Sequence, residues 1–376
     1  MPELSPLESA LLRLIREDPF AGQQAMAERL GISRSAVAAH IMRLTERGHI
    51  LGRGYVLPPE GRVLVIGGAV IDRKYLARTP LIAGTSNPVE GMRSYGGVAR
   101  NVAENLALLG TTTGFVTAVG NDENGRSLLA HLSARGVDVA HAVALADQRT
   151  AEYAAILEPT GELAYGIADM AIFDQLTPAV IEQVWSAIAS ASLVFADCNL
   201  PAETLATLIA RRPYGRFRLA IDAVSTPKVR RLPQCLDGID LLFLNLDEAA
   251  AYLGKVFSRD IKGMHDAAEL LHEAGAAAVI LSCGTLGVVV CAQDGTDHIP
   301  VVRAEPVDMT GAGDAMIAGT LNFFSRNDTL TEAVRKGALI ASLTTETASS
   351  VHPDLSNHFV EANLYRLDAT SGDHLV

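Results

Sequence analysis

A chain of 376 residues, 49% of them hydrophobic, is long enough for more than one folding unit and for a large buried core. Its formal charge of −12 excludes general polyanion binding over the whole surface and leaves room only for a local basic patch. No basic apolar leader opens it and no apolar run reaches about 18 residues, so the expectation is a soluble, cytoplasmic protein that avoids membranes.

In chain order, Pro6 to Glu17, Gln23 to Leu30 and Ser33 to Arg47 read as helices, followed by a short hairpin over His49 to Val56. Gly31-Ile32 makes a turn, Ser33 caps the third helix, and Met26, Ala27, Leu30, Ile32, Val37 and Ile41 are spaced to bury a small core. Residues 1–57 resemble a winged helix-turn-helix. That resemblance implies a DNA partner, met by Arg34, Ser35, Ala38, His40 and Arg43 of the third helix and Arg53 of the wing. The first 60 residues hold seven Arg against seven Asp or Glu, so binding there needs local patterning or a homodimer. A module kept for packing or oligomer contacts is the plainer alternative.

Leu57-Pro58-Pro59-Glu60-Gly61 interrupts regular structure, and a second domain is placed at 62–365. Short apolar runs then alternate with helical patterns: Val63 to Ile66, Phe115 to Val119, Leu193 to Asp197, Leu219 to Asp222, Leu241 to Asn245 and Val279 to Ser282. Such alternation predicts an α/β fold with a parallel sheet between helices, and ligands at the strand C-terminal ends. Two segments near 73–95 and 149–167 break the rhythm. The cysteines, Cys198, Cys235, Cys283 and Cys291, lack CxxC spacing, and no HExxH or HxH cluster supports a zinc site.

Four motifs carry chemistry. Asp72 follows the first apolar strand, where a carboxylate accepts bonds from neighbouring hydroxyls or caps a turn. Gly96-Gly97-Val98-Ala99-Arg100-Asn101 turns into an amphipathic helix, with glycines that leave space for a ligand and an asparagine able to bind a polyol. Asn245-Leu246-Asp247-Glu248 opens another helix after a strand. Finally, Asp308-Met309-Thr310-Gly311-Ala312-Gly313-Asp314 runs into an apolar helix, so backbone amides form an anion hole with Asp314 placed as a base beside it. No GxxxxGK[ST] loop is present, which disfavours a Walker-type kinase.

The first and last glycine motifs, in that order, resemble the two signatures of the ribokinase-like (PfkB) sugar and nucleoside kinases. The resemblance implies a three-layer α/β/α fold with a small β-sheet lid built from the two irregular segments. It makes Asp314 the catalytic base and Gly311, Ala312 and Gly313 the anion hole. Asp72, Gly96, Gly97 and Asn101 then hold substrate, while Asn245, Glu248, Ser282, Gly284, Gly287 and Lys228 serve ATP, with Glu248 on magnesium through water. Many members respond to a monovalent cation such as potassium.

Ser86-Asn87-Pro88, Ala168-Asp169-Met170, Ala196 to Pro201 and Ile221 to Lys228 look most like the pseudouridine kinases of that family. A lid carrying Asn87, Tyr153 and Asp169 offers hydrogen bonds or stacking to a base as well as to ribose. The lid departs from the subgroup pattern at Val89-Glu90 and Ala168. Inosine-type nucleosides and sugars such as ribose or fructose therefore stay open as substrates, as does a regulator with a kinase-like sensor.

Overall fold

The computed structural model describes residues 4–52 and 61–369. The first three helices, Pro6–Glu17, Gln23–Leu30 and Arg34–Glu46, follow local rules closely. Ser5 and Glu8 form a capping box with Pro6 at the first turn, Gly31 ends the second helix in a left-handed conformation, and the Ser33 hydroxyl accepts the Ala36 amide. Leu11, Ile15, Met26, Val37 and Leu44 bury a core of their own. Beyond the third helix, Gly48 has φ +73°, and a Cβ on it would lie 2.2 Å from the Ala189 backbone. The small domain therefore rests on the helix Trp185–Ser190, just ahead of the strand that starts at Leu193.

The larger body is built on an eight-stranded sheet. Its strands are β1 (Val63–Ile66), β4 (Thr113–Val116), β9 (Leu193–Asp197), β10 (Arg218–Asp222), β11 (Leu241–Asn245), β12 (Ala278–Ser282), β13 (Val288–Ala292) and β14 (Gly295–Ile299), in the order β14-β13-β12-β11-β10-β9-β1-β4. Alternation explains why these strands read as unbroken apolar runs. Val63 and Val65 join the core on one face with Leu193 and Phe195, while Leu64 and Ile66 join the opposite core with Val194 and Ala196. Phe195 and Phe243 are wholly buried, and truncating either to Ala would cost about 3–5 kcal/mol.

The expected parallel sheet needs one correction. β13 pairs antiparallel with β12 and β14 with β13, so the far edge is a meander. The run Phe115 to Val119 also divides: after β4 the chain leaves the main sheet, and β5 (Ala118–Gly120) pairs with β6 (Val143–Leu145). The two irregular segments form a separate sheet from β2 (Val70–Ala77), β3 (Val89–Gly96), β7 (Glu152–Leu157) and β8 (Leu163–Asp169), ordered β3-β2-β7-β8. It is a lid, and not an extension of the main sheet. Among the described residues no helix is long and apolar enough to cross a membrane.

Candidate active site

The acceptor side is assembled where β1 hands over to β2. Gly97 sits at φ +96°, and a Cβ there would lie 2.6 Å from the Gly68 carbonyl oxygen. At Gly96 a Cβ would come within 1.9 Å of the Asp72 carboxylate, so only glycine leaves Asp72 its place. Asp197, fully buried at the end of β9, accepts the amides of Gly68 (3.1 Å), Ala99 (3.1 Å) and Asn199 (3.0 Å) and locks both turns to the sheet. Burial pushes its carboxyl up despite those donors. Asn101, in the first turns of the helix Val98–Leu108, donates from Nδ2 to Oδ2 of Asp314 at 2.6 Å. Its Oδ1 is buried with no hydrogen-bond partner, an acceptor left for a hydroxyl.

Asp314 lies in the first turn of the helix Ala312–Ser325. Desolvation pushes its carboxyl up to about 7, against the opposing pull of the Asn101 hydrogen bond and the Arg100 guanidinium, with Asp197 and Asp72 adding to the rise. The turn before it is held open by Gly311 at φ +81°, backed onto the Ser350 carbonyl, where a Cβ would stand at 2.1 Å. Beside this turn lies a cavity of about 400 Å³ lined by Ser282, Gly284, Gly287, Ala312, Gly313 and Thr345. A smaller cavity of about 170 Å³ shares Ser282 and Gly313 with it and is walled by Asp222, Asn245, Glu248 and Asp314. The two cavities meet at the helix start that carries Asp314. Val224 on the inner wall holds φ +67°, a strained state for a β-branched residue, with its amide donating to Asp222 at 2.9 Å.

Residues 61–356 match the pfkB family of carbohydrate kinases. The chain belongs to that family. Residues 4–50 match a winged helix-turn-helix DNA-binding domain. Among its relatives, the "uncharacterized sugar kinase YeiI" of Escherichia coli (strain K12) is 31% identical over 93% of this chain and 96% of its own length. The pseudouridine kinase of the same organism is 32% identical over 78% of this chain and 93% of its own. A solved carbohydrate kinase from Agrobacterium tumefaciens, 34% identical, superposes with a TM-score of 0.71 over 81% of this chain and 97% of that one.

Within this pfkB kinase the structure gathers Asp72, Gly96, Gly97, Asn101 and Asp314 at one end, and Asn245, Glu248, Ser282, Gly284, Gly287 and Gly311 to Gly313 at the other. Asn245 and Glu248 also form a reciprocal capping box at 2.9 Å, so their helix-start role and their place in the cavity coexist. Three expected contacts are placed differently. Lys228 is bonded to the Asn199 side chain and lies 3.8 Å from the Met170 sulfur, just past the lid's last strand, and is not among the residues that line either cavity. Both polar atoms of the Asn87 amide are engaged with the backbone of Ile82 and Thr85, which closes a lid loop. Asp169 pairs in register with Glu152, one position out of step with Tyr153 and Asp72, so alternation turns it to the opposite lid face. Tyr153 shares the Asp72 face, with its hydroxyl over Gly166.

On the small domain, Arg34 and Ser35 are exposed. His40 instead faces inward, bonded to Arg43 at 2.8 Å, and both lie within 4.0 Å of Glu8. Arg53 falls outside the described residues. Asp197 and Arg100 have no role foreseeable from residue type or spacing, although both stand inside the motifs above. Their burial was the missing signal.

Proposed function

We propose that the protein transfers the γ-phosphoryl group of ATP to the 5′-hydroxyl of a nucleoside, pseudouridine first among the candidates. The observation that carries this reading is Asp314: half-buried, oriented by Asn101, and lining the cavity that also holds Asn245 and Glu248. Asp72 and the free Asn101 oxygen hold ribose hydroxyls. The carboxylate of Asp314 accepts the proton of the attacking hydroxyl, while the amides of Gly311 to Gly313 and the helix terminus stabilise charge on the transferring group. In this reading magnesium arrives with ATP. Glu248, with Asp222 beside it, would hold that ion through water, where it neutralises phosphate charge.

Pseudouridine is favoured over a bare sugar by the relative of that activity and by the lid face that sets Tyr153 beside Asp72. The deciding experiment is a panel of pseudouridine, uridine, inosine, ribose and fructose with MgATP and the purified chain. Pseudouridine is expected to give a kcat/KM at least about tenfold above every other acceptor, a preference worth about 1.4 kcal/mol. Transfer to free sugars alone would remove the nucleoside assignment.

A second activity rests on the helix-turn-helix match and on exposed Arg34 and Ser35. In this reading the protein also binds DNA, as a dimer, through the Arg34–Glu46 helices. The full chain is expected to shift DNA from upstream of its own coding region, with affinity falling steeply as salt rises. Binding that ignores sequence would reject the regulatory role.

A further inference from the structure

A contact spans the cleft that no motif announced. Lys74 stands two residues beyond Asp72 on β2, so it projects from the same lid face, and its Nζ meets Oδ2 of Asp308 at 3.0 Å. Asp308 is no passive surface acid. Its other oxygen accepts the Thr310 amide (2.8 Å) and hydroxyl (2.6 Å), which folds the turn immediately before Gly311. The backbone amides of Val307 and Asp308 both donate to the Thr345 carbonyl, and Thr345 and Met309 line the nucleotide cavity. The lid is thus joined through one side chain to the loop whose amides would meet the phosphates.

Exposure argues against a stabilising role as the reason for the pair. The two side chains are 36% and 26% accessible, and an ion pair that open contributes at most about 1 kcal/mol to folding. Position is what it fixes. Asp72 stands two residues before Lys74 on the same strand, and Lys74 is the charged group that ties this strand to the loop.

Resting on the kinase reading above, we propose that Lys74 is a positioning residue that latches the lid to the anion loop. Nucleotide binding at the loop and lid closure over the acceptor are then one coupled event: a nucleotide touching Met309 and Thr345 steadies Asp308, and Asp308 holds the lid.

The test is hydrogen exchange on the full chain, with and without magnesium and a non-hydrolysable ATP analogue whose binding is measured separately by calorimetry. In the wild type the analogue is expected to slow exchange in β2 and β3 by about fivefold or more, a coupling of ordinary allosteric size. Lys74→Arg keeps that protection. Lys74→Met loses it, with analogue affinity changed by less than about threefold, because Lys74 is not among the residues that line the cavity. Equal protection in Lys74→Met and wild type overturns the latch, as does a wild type whose lid ignores bound analogue. An analogue that does not bind at all overturns the kinase reading instead, whereas failure of the acceptor panel leaves the exchange result standing.

Discussion

Asp314→Asn is expected to lower kcat by about two to four orders of magnitude while leaving acceptor and MgATP binding nearly unchanged, since the substitution removes a base and almost no volume. Asparagine keeps an oxygen to accept the Asn101 bond, so the pocket has no reason to rearrange. In the wild type, kcat/KM should climb with pH through a limb near 7, the value to which burial pushes this carboxyl, and level off above it as the base form fills. The same shift has a sign for stability. A carboxyl whose folded pKa lies above its unfolded value of 3.8 leaves the folded state less stable as pH rises from the lower value to the higher. The rise to about 7 withholds stability from the fold above neutrality. Asp314→Asn should therefore be the more stable protein at pH 8, by an amount that shrinks towards pH 4 in urea titrations. Near-normal turnover, or a variant less stable than wild type at pH 8, would remove Asp314 from this role.

What could be read in advance follows from which features are local. Helix starts such as Ser33 and Asn245 and the left-handed stop at Gly31 are set by a few neighbours, and they stand where the sequence placed them. The unbroken runs of β1 and β9 announced burial on both faces, and the glycine turns at Gly97 and Gly311 announced close backbone approaches. Three-dimensional facts were hidden. The β13–β14 turn does carry a local hairpin signal, Asp294-Gly295, but a dipeptide does not say that the hairpin joins the edge of the large sheet. Asn87 reads as a polar lid residue until its loop folds around it, and Lys228 reads as a phosphate ligand until the chain carries it to Asn199. One residue of strand register sets Asp169 on the lid face opposite Tyr153 and Asp72, a parity the sequence does not display. The partners of Lys74 and Arg100 lie more than 200 residues away in part, at Asp308, Asp314 and Ser350, and no periodicity encodes such pairings.

Arg100→Met should destabilise the fold by about 3 kcal/mol. The guanidinium is wholly buried, bonded to Glu104, to the carbonyls of Tyr95 and Gly96, and to the Ser350 hydroxyl at 3.3 Å. Desolvation alone would lower its pKa, and Glu104 is the chief group that opposes this. Removing the cation strands Glu104, 3% accessible, with only His131 at 3.0 Å and Arg135 at 3.5 Å to answer it. Breaking a buried pair from one side costs about 3–5 kcal/mol, and the two remaining cations place the expected loss at the lower end of that range. The double variant Arg100→Met, Glu104→Met should recover much of it, because no lone charge is left inside. The loss also reaches the chemistry: Arg100 is one of the groups that pull the Asp314 carboxyl down, so the ascending limb of any remaining activity should move to higher pH. Lys at this position keeps the charge but not the planar fork that spans two carbonyls and a carboxylate, and should fall between the two. Urea midpoints for the four proteins decide the matter; a single variant within about 1 kcal/mol of wild type would show that His131 and Arg135 already satisfy Glu104.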